Sequence, residues 1–215
     1  MNFAVLIRDV YYRPALAGGE RLVTHRLEDV TALFDGLFGP RYNTRLERGG
    51  DEPLYRPADE ACPWHRVIFA RGFYASALHE ISHWCIAGEQ RRLLEDYGYW
   101  YHPDGRSAEQ QRLFEAAEVA PQALEKLFSA ACELPFHVSV DNLDGRVEVD
   151  REAFQARVAA RAARYEQEGL PLRAAAFRAA LQHFYQQGQP LKQAVTSGLA
   201  ILERDHNEGQ GALSR

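Results

Sequence analysis

The sequence predicts a single α+β domain that is rich in helices and carries a small sheet. Apolar residues recur at helical spacing along most of the chain, whereas β-type runs are short and few. The chain has 215 residues, of which 46% are hydrophobic and 26% charged, values typical of a globular domain. We expect this metal-binding catalytic domain to span residues 25–206, with residues 1–24 as a loosely attached N-terminal arm and residues 207–215 as a disordered tail.

The first half of the domain is expected to alternate helices with the strands of the sheet. Glycine and proline mark the ends of these elements, because neither residue readily continues a helix or a strand. In chain order we expect a helix over 24–37 ended by Gly39-Pro40, two extended runs flanking Gly49-Gly50 between 42 and 57, a strand over 67–70, a helix over 73–87 ended by Gly88, and a charged helical continuation over 89–97.

The second half is expected to be mostly helical. Ser107 and Gln110 have the spacing of a capping box, and proline, as at Pro121, is favoured at the first position of a helix. We therefore expect one helix from Ser107 to about 117, an exposed corner over 118–120 and a second helix from Pro121 to 132. The other expected elements are a strand over 99–101, turns at 103–105 and 144–145, a strand over 136–140, and helices over 150–168, 172–187 and 190–206.

Charge and residue types exclude several classes of function. With 25 basic and 30 acidic side chains the net charge is -5, which argues against a broad nucleic-acid surface. No Gly-Lys phosphate-binding loop occurs, so nucleotide hydrolysis by that route is excluded. No run approaches the ~20 apolar residues of a membrane span, and we expect a cytoplasmic protein. The cysteines form no close pair and are interpreted as buried, reduced thiols: Cys62, Cys85 and Cys132.

The strongest functional signal is an H-E-x-x-H motif at residues 79–83, inside a predicted helix. Residues four apart on a helix share one face, so the imidazoles of His79 and His83 can reach the same metal ion. Glu80 lies beside them and can orient a bound water or a histidine without being a ligand. Because the helix is otherwise apolar, these polar groups would be desolvated without a partner, which favours a metal site.

Three carboxylates compete for the third position on the metal. Glu89 has the spacing at which one class of peptidases places its third ligand, but Ile86 stands where that class uses glycine to turn the chain. Glu115 and Glu118 follow about one helix later, and Glu118 falls in the expected corner before Pro121. The spacing leaves these alternatives open.

Several longer strings resemble the bacterial hydroxylase of elongation factor P. The resemblance extends from about residue 25 to about residue 185 and is far more specific than the five-residue motif. Its strings are His79–Gly88, Asp96–Arg106, Phe114-Glu115, Glu118-Val119, Pro121–Ala123 and Asp141–Leu143.

This resemblance implies a non-haem metal enzyme that hydroxylates the β-lysylated lysine of elongation factor P. It implies that His79, His83 and Glu118 hold the metal, with Glu80 in support. It also implies a fold similar to a bacterial metal-dependent endoribonuclease, a zincin-like arrangement. The partner is then elongation factor P, a protein rather than a nucleic acid or a membrane.

The motif and the implied reaction point to different metals. H-E-x-x-H is frequent in zinc hydrolases, so a zinc metallopeptidase with Glu80 as general base is the alternative function. Zinc has no redox chemistry, whereas two histidines and one carboxylate with open positions suit Fe(II) and O2. For a hydroxylase we therefore expect Fe(II), with O2 as co-substrate.

Two further sets of residues have possible roles in recognition. A cationic lysyl-lysine side chain would be bound by aromatic faces and a carboxylate, which Tyr99, Trp100, Tyr101 and Asp104 can supply. Arginines also recur at helical spacing in the last third of the chain. We interpret them as a solvated, ion-paired face, with docking of an acidic partner as the alternative: Arg157, Arg161, Arg164, Arg173 and Arg178.

Overall fold

The predicted α+β class with a small sheet is confirmed by a computed structural model, which describes residues 23–95, 106–140 and 149–212. Six α-helices and three strands lie in these ranges. The helices are α1 Leu27–Tyr42, α2 Tyr74–Ile86, α3 Ala108–Ala131, α4 Arg151–Glu168, α5 Leu172–Leu181 and α6 Leu191–Ala212; the strands are β1 Thr44–Arg48, β2 Leu54–Arg56 and β3 His65–Phe69. None of the helices so described is both long and apolar enough to cross a membrane.

The sheet has the order β1-β3-β2, so the two runs that flank Gly49-Gly50 do not pair with each other. β3 lies between them, parallel to β1 and antiparallel to β2. A side chain at Gly49 would overlap Ile68 of β3, which explains the glycine at this close approach. The sheet packs beside α1, and α2 begins a few residues after β3.

α1 runs through Gly39-Pro40, where the sequence predicted its end. Pro40 has no N–H to donate to the carbonyl four residues earlier, so the last turn lacks one hydrogen bond, yet the helix continues to Tyr42. The helix ends instead at Asn43, which has a left-handed backbone with φ 49° and donates its N–H to the carbonyl of Gly39 at 3.1 Å. Leu37 and Phe38 keep this end of the helix fully buried in the core.

The predicted exposed corner at residues 118–120 is wrong, because α3 is one continuous helix of 24 residues. The capping box at its start is confirmed: Ser107 accepts a hydrogen bond from the Gln110 N–H, and the Gln110 side chain accepts one from the Ser107 N–H. Pro121 lies inside the helix, and buried residues continue on both sides of it. A shared buried face therefore holds both segments in one helix despite the missing N–H.

The predicted strand over 136–140 is wrong, because these residues have no regular secondary structure and, within the described part of the chain, pair with no strand. The side chain of Gln122 on α3 takes the partner's place. Its amide donates to the carbonyl of Ser139 at 2.6 Å and accepts from the Ser139 N–H at 3.0 Å, as a neighbouring strand would do. Gln111 donates to the carbonyl of Val140 at 2.9 Å. Two glutamines of α3 thus bind this segment.

The predicted charged continuation of α2 is also wrong. The backbone leaves the helix at Ala87, which has an extended conformation with ψ 124°. Only a short 3-10 turn follows, at Arg91–Leu93. Two arginines bind the end of the helix: Arg92 donates to the carbonyl of Ala87 at 2.7 Å, and Arg173 of α5 donates to the carbonyls of Trp84, Cys85 and Ala87. These cations complement the partial negative charge of the helix C-terminus.

The remaining helices agree with the sequence pattern in number and order. Asp150 accepts the capping hydrogen bond of α4 from the Ala153 N–H at 2.9 Å. α5 passes into a π-helical turn at Gln182–Gln186, and α6 continues to Ala212, beyond its expected end at 206. The predicted strand over 99–101, both predicted turns and nearly all of the N-terminal arm lie outside the described residues.

One face of α2 is buried in the aromatic core. Trp84 packs against Phe34 and Phe38 of α1, with ring centroids 5.2 Å and 4.7 Å apart, and Ile81 is fully buried. This packing fixes the rotation of α2 about its axis, so that its other face is held against α3.

Candidate metal centre

The two histidines of the motif converge on one face of α2. Their Nε2 atoms are 3.1 Å apart, and their rings meet edge to face. His79 and His83 lie one turn apart on a helix whose rotation is fixed by the core, so the backbone alone brings the rings together. Both side chains are about one-fifth exposed, which leaves the pair accessible from outside.

Glu118 of α3 completes a triangle with the two imidazoles. Its carboxylate oxygens lie 3.5 Å from Nε2 of His79 and 3.2 Å from Nε2 of His83. Among the described residues, these three form the group of histidine, cysteine and acidic side chains whose ligand atoms all lie within 4.8 Å of one another. Glu118 is 4% exposed and lies within the unbroken α3.

One neighbouring side chain, Gln122, binds the Glu118 carboxylate. Gln122, one turn later on α3, donates to the Glu118 carboxylate at 3.3 Å through the same amide that binds the peptide of Ser139. Residues 136–140 are therefore linked to the Glu118 carboxylate through one glutamine.

A second carboxylate of α3, which the sequence analysis missed, contacts the other side of His79. The Glu125 oxygen lies 2.8 Å from Nδ1 of His79, whereas Glu118 lies near Nε2. Glu118 and Glu125 are seven residues apart, or about two turns, and so lie on one face of the helix. That spacing was visible in the sequence, but nothing local indicated which element it faces.

The charges of the cluster depend on one another. Burial opposes charge on His79, but Glu125 and Glu118 prevail and raise its pKa to about 10. Burial also opposes charge on Glu118, yet His79 and His83 lower its pKa to about 2. The carboxylates thus require a nearby cation, which protonated imidazole supplies when no metal ion does.

Glu80 lies beside the cluster but does not belong to it. Burial raises its pKa, while His79 and His83 act in the opposite direction. Glu80 and His83 both line a cavity of about 270 Å³ between the sheet and the end of α2. Its other walls are apolar, aromatic and basic: Leu54, Tyr55, Val67, Trp84, Ile86, Ala87, Gly88, Arg91 and Arg92.

The other candidate ligands lie apart from the cluster. Glu115 accepts a hydrogen bond from Arg157 at 2.6 Å and is absent from the metal-binding group. Glu89 is exposed, beyond the point where the chain leaves α2. Tyr99, Tyr101 and Asp104, the predicted substrate-binding residues, lie outside the described residues.

Most of the predicted arginine face makes contacts within the chain. Arg164 pairs with Glu168 at 3.3 Å, Arg178 pairs with Glu166 at 2.8 Å, and Arg161 lies over the ring of Tyr165 at 4.0 Å. Arg173 differs from the rest, because it binds the carbonyls at the end of α2. The cysteines are unpaired; Cys85 and Cys132 are buried, whereas Cys62 is only partly so.

The donor atoms fit a single divalent ion. Atoms that share an ion at about 2.1 Å are roughly 3.0 to 3.4 Å apart for angles between 90° and tetrahedral. The separations of 3.1 and 3.2 Å fall within this range, and that of 3.5 Å lies just above it. Two imidazole nitrogens and one carboxylate suit zinc, or iron with open positions.

Two comparisons with known proteins give matches over most of the chain. A profile of the elongation factor P hydroxylase family matches residues 33–195, which include the whole cluster. A protein of Haemophilus influenzae named elongation factor P lysine hydroxylase is 52% identical over 161 residues, which are 75% of this chain and 90% of that protein.

Proposed function

The chain belongs to the elongation factor P hydroxylase family, and on this premise we propose that it adds one oxygen atom to the β-lysylated lysine of elongation factor P. The observation that carries the proposal is the triangle of His79, His83 and Glu118 in a chain that is 52% identical to a protein named for this reaction. A translation factor as substrate is also the reason to propose the cytoplasm as its location.

We propose Fe(II) as the resident metal, held by Nε2 of His79, Nε2 of His83 and the carboxylate of Glu118. Bound there, Fe(II) would supply open positions for O2 and the redox activity that zinc lacks. In the balanced reaction, one oxygen atom enters a C–H bond and the other leaves as water, with two electrons and two protons from an external reductant.

The protein's own groups bind and orient the substrate. We propose that the substrate side chain reaches the metal ligands through the cavity that Glu80 and His83 line. The apolar walls suit its methylene groups, while the Glu80 carboxylate and the ring of Tyr55 suit an ammonium group. Tyr99, Tyr101 and Asp104 remain predicted members of this binding site.

We also propose that the fold is related to the zincin-like arrangement of metal-dependent endoribonucleases. Support comes from the small sheet followed by the helix that carries the histidines. A relationship of fold alone does not transfer RNA cleavage to this chain, and the net charge of -5 does not favour it.

Mass spectrometry of the substrate tests the proposal. Lysylated elongation factor P is incubated with O2, Fe(II)-loaded protein and ascorbate as the two-electron reductant. We expect the mass of one oxygen atom on the lysylated peptide, no product without Fe(II), and no product when zinc replaces iron.

Two glutamine variants on α3 provide a matched control. Glu118→Gln should abolish the reaction, whereas Glu115→Gln, one turn away, should retain it. Cleavage of the substrate by the zinc-loaded protein, without added oxygen, would instead favour the peptidase.

A further inference from the structure

We infer that Glu125 is a positioning residue of the metal centre: its carboxylate accepts a hydrogen bond from Nδ1–H of His79 and thereby presents Nε2 to the ion. This inference rests on the metal site proposed above, since it describes how one of that site's ligands is held. Glu125 itself is not a ligand.

The two ring nitrogens of His79 contact different partners. Nδ1 lies 2.8 Å from the Glu125 carboxylate, which is hydrogen-bonding distance. Nε2 lies 3.1 Å from Nε2 of His83 and 3.5 Å from Glu118. Since a neutral imidazole carries one N–H, the bond to Glu125 places that proton on Nδ1 and leaves a lone pair on Nε2.

α3 is well placed to impose this orientation. Glu118 and Glu125 stand two turns apart on a helix of 24 residues, so both sides of the His79 ring face a single rigid element. The Glu125 side chain is 12% exposed, and a hydrogen bond sheltered to this degree is stronger than one in water. The ring therefore has little freedom to rotate.

Glu125 also contributes charge. Together with Glu118 it provides two negative charges beside the site, which balance those of one divalent ion. Partners of this kind make a histidine ligand more basic, and their loss typically lowers metal affinity 10–100-fold. Orientation and charge are separable, because glutamine can still accept from Nδ1–H but is neutral, whereas alanine does neither.

Metal affinity tests the inference without the hydroxylation reaction. Co(II) binding is measured by chelator competition in the wild type, Glu125→Gln and Glu125→Ala, with Glu115→Gln as the matched control. We expect a 10–100-fold loss in Glu125→Ala, a smaller loss in Glu125→Gln, and wild-type affinity in Glu115→Gln. Wild-type affinity in Glu125→Ala would overturn the inference.

A second readout covers the case in which Glu125→Ala does not fold. Nitrogen-15 NMR of the zinc-loaded wild type should place the His79 proton on Nδ1, and that proton should exchange faster with water in Glu125→Gln. Metal bound through Nδ1, or identical exchange in both proteins, would contradict the inference.

The two proposals can fail separately. If no oxygen is added to the substrate but Co(II) affinity still falls in the Glu125 variants, the proposed function is wrong and the positioning role stands. If the substrate is hydroxylated while the Glu125 variants bind Co(II) normally, the positioning role alone is wrong.

Discussion

Glu115 and Glu118 lie one turn apart on α3, and both are buried, yet they face different helices. At the α3–α4 contact, Glu115 meets Arg157, whose guanidinium always carries its positive charge. At the α2–α3 contact, Glu118 meets two imidazoles, which can lose their protons. The chain therefore supplies a permanent cation to one carboxylate and not to the other.

This difference separates a structural ion pair from a binding site. Burying a carboxylate without a cation costs several kcal/mol, so each must be compensated. Arg157 supplies the compensating positive charge at Glu115 for as long as the protein is folded. At Glu118 the positive charge must come from a protonated imidazole or from a metal ion. Nitrogen atoms that can release a proton are good metal ligands.

Removing a histidine should have the largest effect. His79→Ala or His83→Ala should lower metal affinity more than about 100-fold, since the loss of a ligand exceeds that of a supporting hydrogen bond. Hydroxylation should be lost, while the circular dichroism spectrum stays that of the wild type. Bound metal at wild-type affinity in either variant would exclude these histidines as ligands.

Exchanging the two carboxylates for glutamine should sharpen the comparison. Glu118→Gln should abolish metal binding, measured by chelator competition. Glu115→Gln should keep full metal binding but lose about 1 kcal/mol of stability in urea unfolding, since only a half-exposed ion pair is weakened. The reverse pattern would make Glu115 the third ligand.

Metal uptake should release protons. The pKa of His79 is about 10 in the metal-free protein, so its ring is protonated at pH 8 and must lose a proton to bind the ion. We expect about one proton per ion, measured by calorimetry in buffers of different ionisation enthalpy. Metal uptake by the wild type without proton release would contradict the raised pKa of His79.

The metal-free protein should also show a limited pH range of stability. The raised pKa of His79 stabilises the fold fully below its ordinary value of 6.5, and this contribution is lost as pH rises through about 10. The lowered pKa of Glu118 stabilises the fold fully above 4.5, and this contribution is lost as pH falls through about 2. Urea midpoints across pH, with and without Zn(II), would measure both losses.

Arg173→Met should weaken metal binding less than the loss of any ligand. It removes the hydrogen bonds to the carbonyls of Trp84, Cys85 and Ala87 while keeping an apolar stem, at a cost of about 1–3 kcal/mol. Metal affinity should fall less than in the ligand variants, because α2 remains packed against the core. A loss of metal affinity equal to that of His83→Ala would mean that the hydrogen bonds from Arg173 to the end of α2 set the position of the histidines.

Local sequence signals predicted the parts of the site that depend on one helix. The pairing of His79 with His83 follows from a four-residue spacing within a stretch that is clearly helical. Glu118 was among the predicted candidates, but its environment was mistaken. The local sequence favours Pro121 as a helix start, and no local signal indicates that the buried face of α3 continues past it.

Contacts between distant elements could not be predicted. Glu125 reaches His79 across the α2–α3 contact, 46 positions along the chain. Arg173 reaches the end of α2 from α5, although the sequence pattern placed it in one series with arginines that pair elsewhere. Gln122 replaces a strand for residues 136–140, which no β-type pattern can reveal. These roles depend on packing, not on local periodicity.

Anomalous X-ray scattering from a crystal of the protein grown anaerobically with Fe(II) is the most direct test of the account. We predict a single iron peak contacted by Nε2 of His79, Nε2 of His83 and the Glu118 carboxylate, with the remaining positions taken by water. Iron bound at Glu115, or enclosed by four protein ligands, would contradict the contrast between the two carboxylates and the enzyme proposed from it.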